Sequence, residues 1–328
     1  MKIQQRIIAK YNNQDIIEYQ LITSSGFQVN FLNYGGIITA IYTPDKDGKF
    51  ANIVLAHQQF DPQNPGHLGA ITGRIAGRIA NANFTLDNTT YKLMANNGQH
   101  NLHGGPDGLD KQIWKVELMI NGAKLSYTSQ HNESGFPSTI KFEVEYLIAE
   151  NEFQINYYAK PENKTIINLT NHSYFDLSIG KSPLQQQLTL NANYYAEIDK
   201  TGIVSGIISP VENTPFDFRN GKNIGEEINA NHAQLKLANG YDHPFILTEN
   251  KQIFLTDAQT GRIMEIITDQ PVCVVYSANH YTPKHAGICL ETQAMPNAIN
   301  WESYKNDVIY SPDKPYQSYN IWKFRINH

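Results

Sequence analysis

Apolar residues return at every second position over much of this chain, and that period decides the class of fold. Residues 141–147 (KFEVEYL), 153–158 (FQINYY) and 27–31 (FQVNF) alternate apolar side chains with polar or charged ones. Successive side chains of a strand point to opposite faces, so such runs suit strands with one face buried and one face wet. Further β-branched and aromatic runs occur at 164–170, 186–190, 252–256, 262–268 and 272–277. Turn-forming clusters punctuate them: PDKDGK, LDNTT, NESGFPS and DAQTGR, the last of which reads as a hairpin loop. Helical pattern is sparse. One stretch, 223–236, brings Ile224, Ile228 and Leu235 to one face and predicts a short helix. No fixed repeat, Pro/Ser-rich linker or charge run divides the chain. The expectation is an all-β sandwich or barrel, with residues 1–328 as a single domain.

Charge narrows the partners. Lys and Arg number 26 against 31 Asp and Glu, a formal net charge of −5, which gives no general attraction to nucleic acid or anionic membranes. No apolar run approaches the roughly 18 residues that a membrane helix needs. The start, MKIQQRIIAKYNNQ, lacks the apolar stretch and small-residue site of a signal peptide. The expected compartment is therefore cytoplasmic, with Cys273 and Cys289 as free, buried thiols. Asn and Gln recur throughout; they solvate loops, and they also hydrogen-bond neutral hydroxylated ligands. The G-x-S-x-G, G-x-G-x-x-G and P-loop patterns are missing, which lowers the hydrolase, dinucleotide and nucleotide-hydrolysing classes. His100 and His103 lie three apart, but on a loop that spacing fixes no common face and no cysteine is near, so no metal is expected there.

Five segments concentrate glycine, polar and ionisable residues. GAITGRIAGRIA (69–80) carries Arg74 and Arg78, which spacing alone leaves as a surface pair. NLHGGPDGLD (101–110) sets His103 before paired glycines, a turn that either presents the ring or serves only the backbone. IINLTNHSYFDL (166–177) ends a strand-like run at His172, beside aromatics. ANGYDHPF (238–245) carries Asp242 and His243 at a loop or strand entry. In GICLETQAMPNAIN (287–300), Glu291 falls inside an uncharged run, where Cys289, Glu291 and Gln293 share one face of an extended chain. A carboxylate so placed is expensive to bury unless it is paired or functional.

In this order, the segments GRIAGRI, NLHGG with GLD and Trp114, NLTNHSYFDL, PFDFR, GYDHPF and PKHAGICLETQAMPNAIN resemble the aldose 1-epimerase (galactose mutarotase) family. The closing SPDKPYQSYNIWKF is similar to the family's last strand, and the resemblance runs from about residue 15 to 325. It implies a large antiparallel β-sandwich of the galactose mutarotase-like supersandwich type, with few short helices and an open sugar site on its concave face. By motif position it implies Glu291 as general base, His172 as general acid, and Arg78, His103 and Asp242 as substrate-binding residues. It further implies a small free sugar such as galactose or glucose as partner, no cofactor and no metal, in a monomer or homodimer. Gly77 stands where some members have Asn, and Val274 where some carry a sugar-binding Gln.

Those residue types suit the reaction. Opening a hemiacetal removes a proton from the C1 hydroxyl and delivers one to the ring oxygen; a carboxylate and an imidazolium perform the two roles. A non-catalytic sugar-binding domain would lack one of the two, an epimerase for a phosphosugar would carry extra Arg or Lys at the site, and a glycosidase usually has two facing carboxylates. Adding hydrogen-bond reaches to the oxygen–oxygen gap predicts a Glu291 carboxylate about 4–8 Å from the nearest His172 nitrogen. An aromatic ring should stand nearby to cover a sugar face.

Overall fold

The alternating runs become strands whose burial alternates residue by residue. In Ile140–Ala149 and Glu152–Pro161 every second side chain is buried, and the two strands pair antiparallel from Ile140 opposite Pro161 to Ala149 opposite Glu152. The structure is a computed structural model that describes residues 1–181 and 183–327. The two strands belong to a nine-stranded sheet, which continues through Tyr316–Ile326, Arg262–Thr268 and Gln252–Thr256. The expected hairpin between Gln252–Thr256 and Arg262–Thr268 is present; its loop closes through Asp257, whose carboxylate accepts from the Thr260 N–H at 2.7 Å.

Two further sheets form the facing layer. A five-stranded sheet runs in chain order from Lys2–Tyr11 to Phe50–Asn52. A six-stranded sheet takes the order Tyr174–Phe175, Ile288–Gln293, Val272–Tyr276, Asp242–Leu247, Ala192–Ile198, Val204–Pro210. Val54 bridges to Phe175, joining the two along one edge. One apolar core draws on all three sheets. Phe31 meets Tyr146 edge-on at 5.1 Å, Phe27 meets Phe324 at 5.5 Å, and Phe175 meets Trp322 at 5.0 Å. Each such aromatic side chain contributes about 1.5–3 kcal/mol on burial. The architecture is the all-β, antiparallel one expected, and both cysteines are free and buried. Among the described residues no helix is long and apolar enough to cross a membrane.

Two local expectations fail. The helix predicted over 223–236 is confined to Ala233–Ala238. His232 caps its start by accepting from the Gln234 N–H, and Asn239 ends it in the left-handed region at φ 58°. Ile224, Ile228 and Leu235 do reach the same core, the two isoleucines from turns and Leu235 from the short helix. The 164–170 run forms only the short pairs Thr165–Ile166 and Thr170–Asn171. Between them the backbone bonds to Arg74 and Ala76, and the Asn168 amide bridges both backbone groups of Ala294, so this buried segment finds its partners outside the large sheets.

Candidate active site

Strand Ile288–Gln293 alternates between two environments. Ile288 and Leu290 enter the core, while Glu291 and Gln293 face a cleft on the outer side of the six-stranded sheet. The neighbouring strand places Val274 directly opposite Glu291, and Asp242 lies opposite Tyr276 one strand further on. His172 is held between two short strands: its N–H bonds to Ala70 O at 2.9 Å, and its carbonyl accepts from Gly69 at 3.0 Å. This brings His172 Nε2 to 3.5 Å from Glu291 Oε1.

The opposite wall comes from the two glycine-rich motifs. Arg78–Ile79 pairs with Asn101–Leu102. His103 adopts φ 52°, donates its N–H to Gly77 O at 3.0 Å, and accepts from the Gly77 N–H on Nδ1 at 3.2 Å. The glycine after it is obligatory, because a Cβ on Gly104 would sit 2.0 Å from the Gly73 carbonyl oxygen at φ +90°. Arg78 donates from Nε to Asn97 Oδ1 at 3.0 Å and approaches Asp242 at 3.8 Å. Arg78, His103, His172, Asp242 and Glu291 thus line one cleft of about 350 Å³, with the rings of Tyr174 and Tyr276 beside them.

The 3.5 Å contact is shorter than the 4–8 Å expected from sequence. Summing the hydrogen-bond reaches assumes catalysts on opposite sides of the anomeric centre. Here the two side chains touch each other on one wall of the cleft. Glu291 is 4% exposed, with its limited access through the cleft. Arg74 is structural: buried, it ties down Ser129, Pro137 and Ser138. His100 accepts from the Asn81 N–H, and His243 is buried behind Asp242 against Gln234. Sequence reasoning missed His67, which lines the cleft with Nδ1 2.8 Å from the buried Asp110. The only trace was a lone histidine between Gly66 and Leu68, at the entry to the arginine motif.

Burial dominates the electrostatics. It pushes the Glu291 carboxyl up to about 8; the Asp242 charge adds to this and Arg78 opposes it. Burial lowers His172 to about 3, with nearby His67 adding to the effect. The contact between them works in the other direction, favouring carboxylate and imidazolium. Neutral pair or ion pair, the two groups hold one proton between them at neutral pH. Burial, then His67, His172 and Arg78, holds His103 well below its ordinary value, and burial raises Asp242 against the pull of Arg78 and His280.

Donor atoms of His103, His172 and Glu291 lie within 4.8 Å of one another, close enough to consider a metal. His103 argues against it. Its Nδ1 accepts the Gly77 N–H, so its proton sits on Nε2, and an N–H has no lone pair for an ion.

A family model described as aldose 1-epimerase matches residues 18–321. Galactose mutarotase of Sus scrofa is 35% identical over 329 aligned residues, covering 94% of each chain. Aldose 1-epimerase of Haemophilus influenzae is 34% identical, covering 90% of this chain and 93% of its own. Among solved structures, galactose 1-epimerase from Lactobacillus acidophilus superposes with a TM-score of 0.89 at 27% identity, over 100% of this chain and 99% of the other. A family model spanning most of the chain, together with relatives of this identity and coverage, establishes that the chain belongs to the aldose 1-epimerase family.

Proposed function

We propose that the cleft binds the pyranose form of a free aldose, such as galactose or glucose, and interconverts its α and β anomers. The observation that carries this is the His172–Glu291 contact at 3.5 Å on the cleft wall. The C1 hydroxyl oxygen and the ring oxygen are bonded to the same carbon, so a donor and an acceptor held side by side match them. Glu291 takes the hydroxyl proton as His172 gives one to the ring oxygen; the C1–O5 bond breaks and C1 becomes a carbonyl. Rotation about C1–C2 offers the other carbonyl face. His172 then recovers the O5 proton as O5 attacks C1, and Glu291 returns a proton to O1, giving the opposite anomer.

The single proton of the pair suffices, because each half-reaction moves one proton on and one off. Arg78, His103 and Asp242 hold the hydroxyls that do not react, and Tyr174 and Tyr276 offer rings to a sugar face. The test is polarimetry of freshly dissolved α-glucose and α-galactose. Wild type should speed mutarotation, and folded Glu291→Gln should lose about 10²–10⁴-fold. Activity within about threefold of wild type, with unchanged circular dichroism, would remove Glu291 from the reaction.

A further inference from the structure

Two histidine rings at the cleft have opposite hydrogen-bonding characters. His103 spends Nδ1 as an acceptor for the Gly77 N–H, so its remaining nitrogen is an N–H donor. His67 points Nδ1 at Asp110 Oδ2, 2.8 Å away; the carboxylate, itself only 1% exposed, can only accept. The proton between the pair is therefore carried on His67 Nδ1, and a ring carrying that proton alone offers the Nε2 lone pair as an acceptor. Among the described residues Nε2 has no protein partner, and the ring is 18% exposed at the cleft. The two rings stand edge to face, with centroids 4.7 Å apart, and His172 is 5.8 Å from His67.

We infer that His67 is a substrate-contacting residue which, with His103, forms a two-point socket for one non-reacting hydroxyl of the sugar. A hydroxyl accepts through its oxygen and donates through its hydrogen. The His103 N–H and the His67 lone pair supply the complementary partners from adjacent positions. Neither an ether nor a deoxy carbon fills both. Asp110 acts through His67 as a positioning residue: it fixes the tautomer, and its backbone is held in the short 3-10 turn Leu109–Lys111. The inference rests on the reading of this cleft as a sugar site.

The test compares wild type with His67→Phe, which keeps a ring without nitrogen, and His67→Gln, which keeps an acceptor. Each is assayed on glucose and its 2-, 3-, 4- and 6-deoxy forms, by polarimetry and by calorimetric binding. His67→Phe should weaken glucose by about tenfold, mostly in KM, and should do the same for all but one deoxy sugar. Toward that one sugar the variant and wild type should be equal, and His67→Gln should recover part of the glucose loss. A uniform loss on every sugar, a loss in kcat alone with a displaced pH profile, or no loss would overturn the socket. Wild type that binds sugars without turning them over would sink the mutarotase reading and leave His67 judged on affinities. Wild type that does neither would sink both.

Discussion

At the scale of single residues, the feature that governs behaviour is one proton shared by two buried groups. With His172 near 3 and Glu291 near 8, the free cleft carries that single proton from acid to mildly alkaline pH. Above about pH 8 the proton leaves, and the pair becomes a carboxylate beside a neutral imidazole, with nothing to protonate the ring oxygen. We expect kcat/KM for glucose to be level through neutral pH and to fall about tenfold per pH unit on the alkaline side. A polarimetric profile that instead climbs through pH 8 to a higher plateau would show that the carboxylate alone limits the reaction. The place of Glu291 in the cleft was legible because a lone carboxylate in an uncharged strand has few structural explanations. His67 was not, because what distinguishes it is Asp110, a partner 43 residues away. Spacing along a chain carries no sign of such a contact.

At the scale of elements, strict alternation made the strands readable, and it also assigned faces. Glu291 and Gln293 turn together into the cleft, as the period of two requires, while Cys289 is buried beneath it in an apolar cluster with Leu68 and Tyr174, its Sγ 3.6 Å from His172 Nδ1. What alternation could not supply was register. Only pairing places Val274 opposite Glu291, on the same wall as the candidate acid–base pair. Valine has no donor or acceptor for a sugar hydroxyl, so discrimination between epimers that differ at one hydroxyl should be weak there. We expect the ratio of kcat/KM for galactose over glucose to stay below about a hundredfold, equivalent to about 2.7 kcal/mol, in parallel polarimetric assays. A larger ratio would locate selectivity elsewhere in the cleft. Gly77 is constrained by its neighbours: at φ +76°, a Cβ would lie 2.9 Å from the Pro296 Cβ, so a side chain there requires that proline to shift. The 223–236 and 164–170 segments were misread for a common reason. Each takes backbone partners far along the chain, Ile224 and Gly225 at Gln186 and Leu184, and Asn168 at Arg74, and periodicity carries no sign of such contacts.

At the scale of the whole molecule, the sandwich supports a site that works against its own stability. One core fed by all three large sheets makes a single cooperative unfolding transition the expectation, and packing this dense leaves the outer wall of the six-stranded sheet little freedom to relax around a charge. Glu291 lies in that wall with its carboxyl raised from the ordinary 4.5 to about 8. Between those two pH values the folded chain keeps a proton that the unfolded chain has released. The contribution is therefore fully present below about pH 4.5 and is lost as pH rises through about 8, at up to about 1.4 kcal/mol per pH unit. His172 acts in the opposite sense: its depressed value removes stability as pH falls from 6.5 toward 3, and it does so with or without Glu291. Glu291→Gln removes the first dependence and keeps the second. Its melting temperature should therefore rise relative to wild type from pH 5 to pH 8, with the gap levelling off beyond, while mutarotation is lost. Calorimetric scans of both proteins across that range decide the matter. A gap that does not change with pH would mean that the folded protein accommodates the Glu291 carboxylate at no cost, and the shared-proton account of the cleft would fall with it.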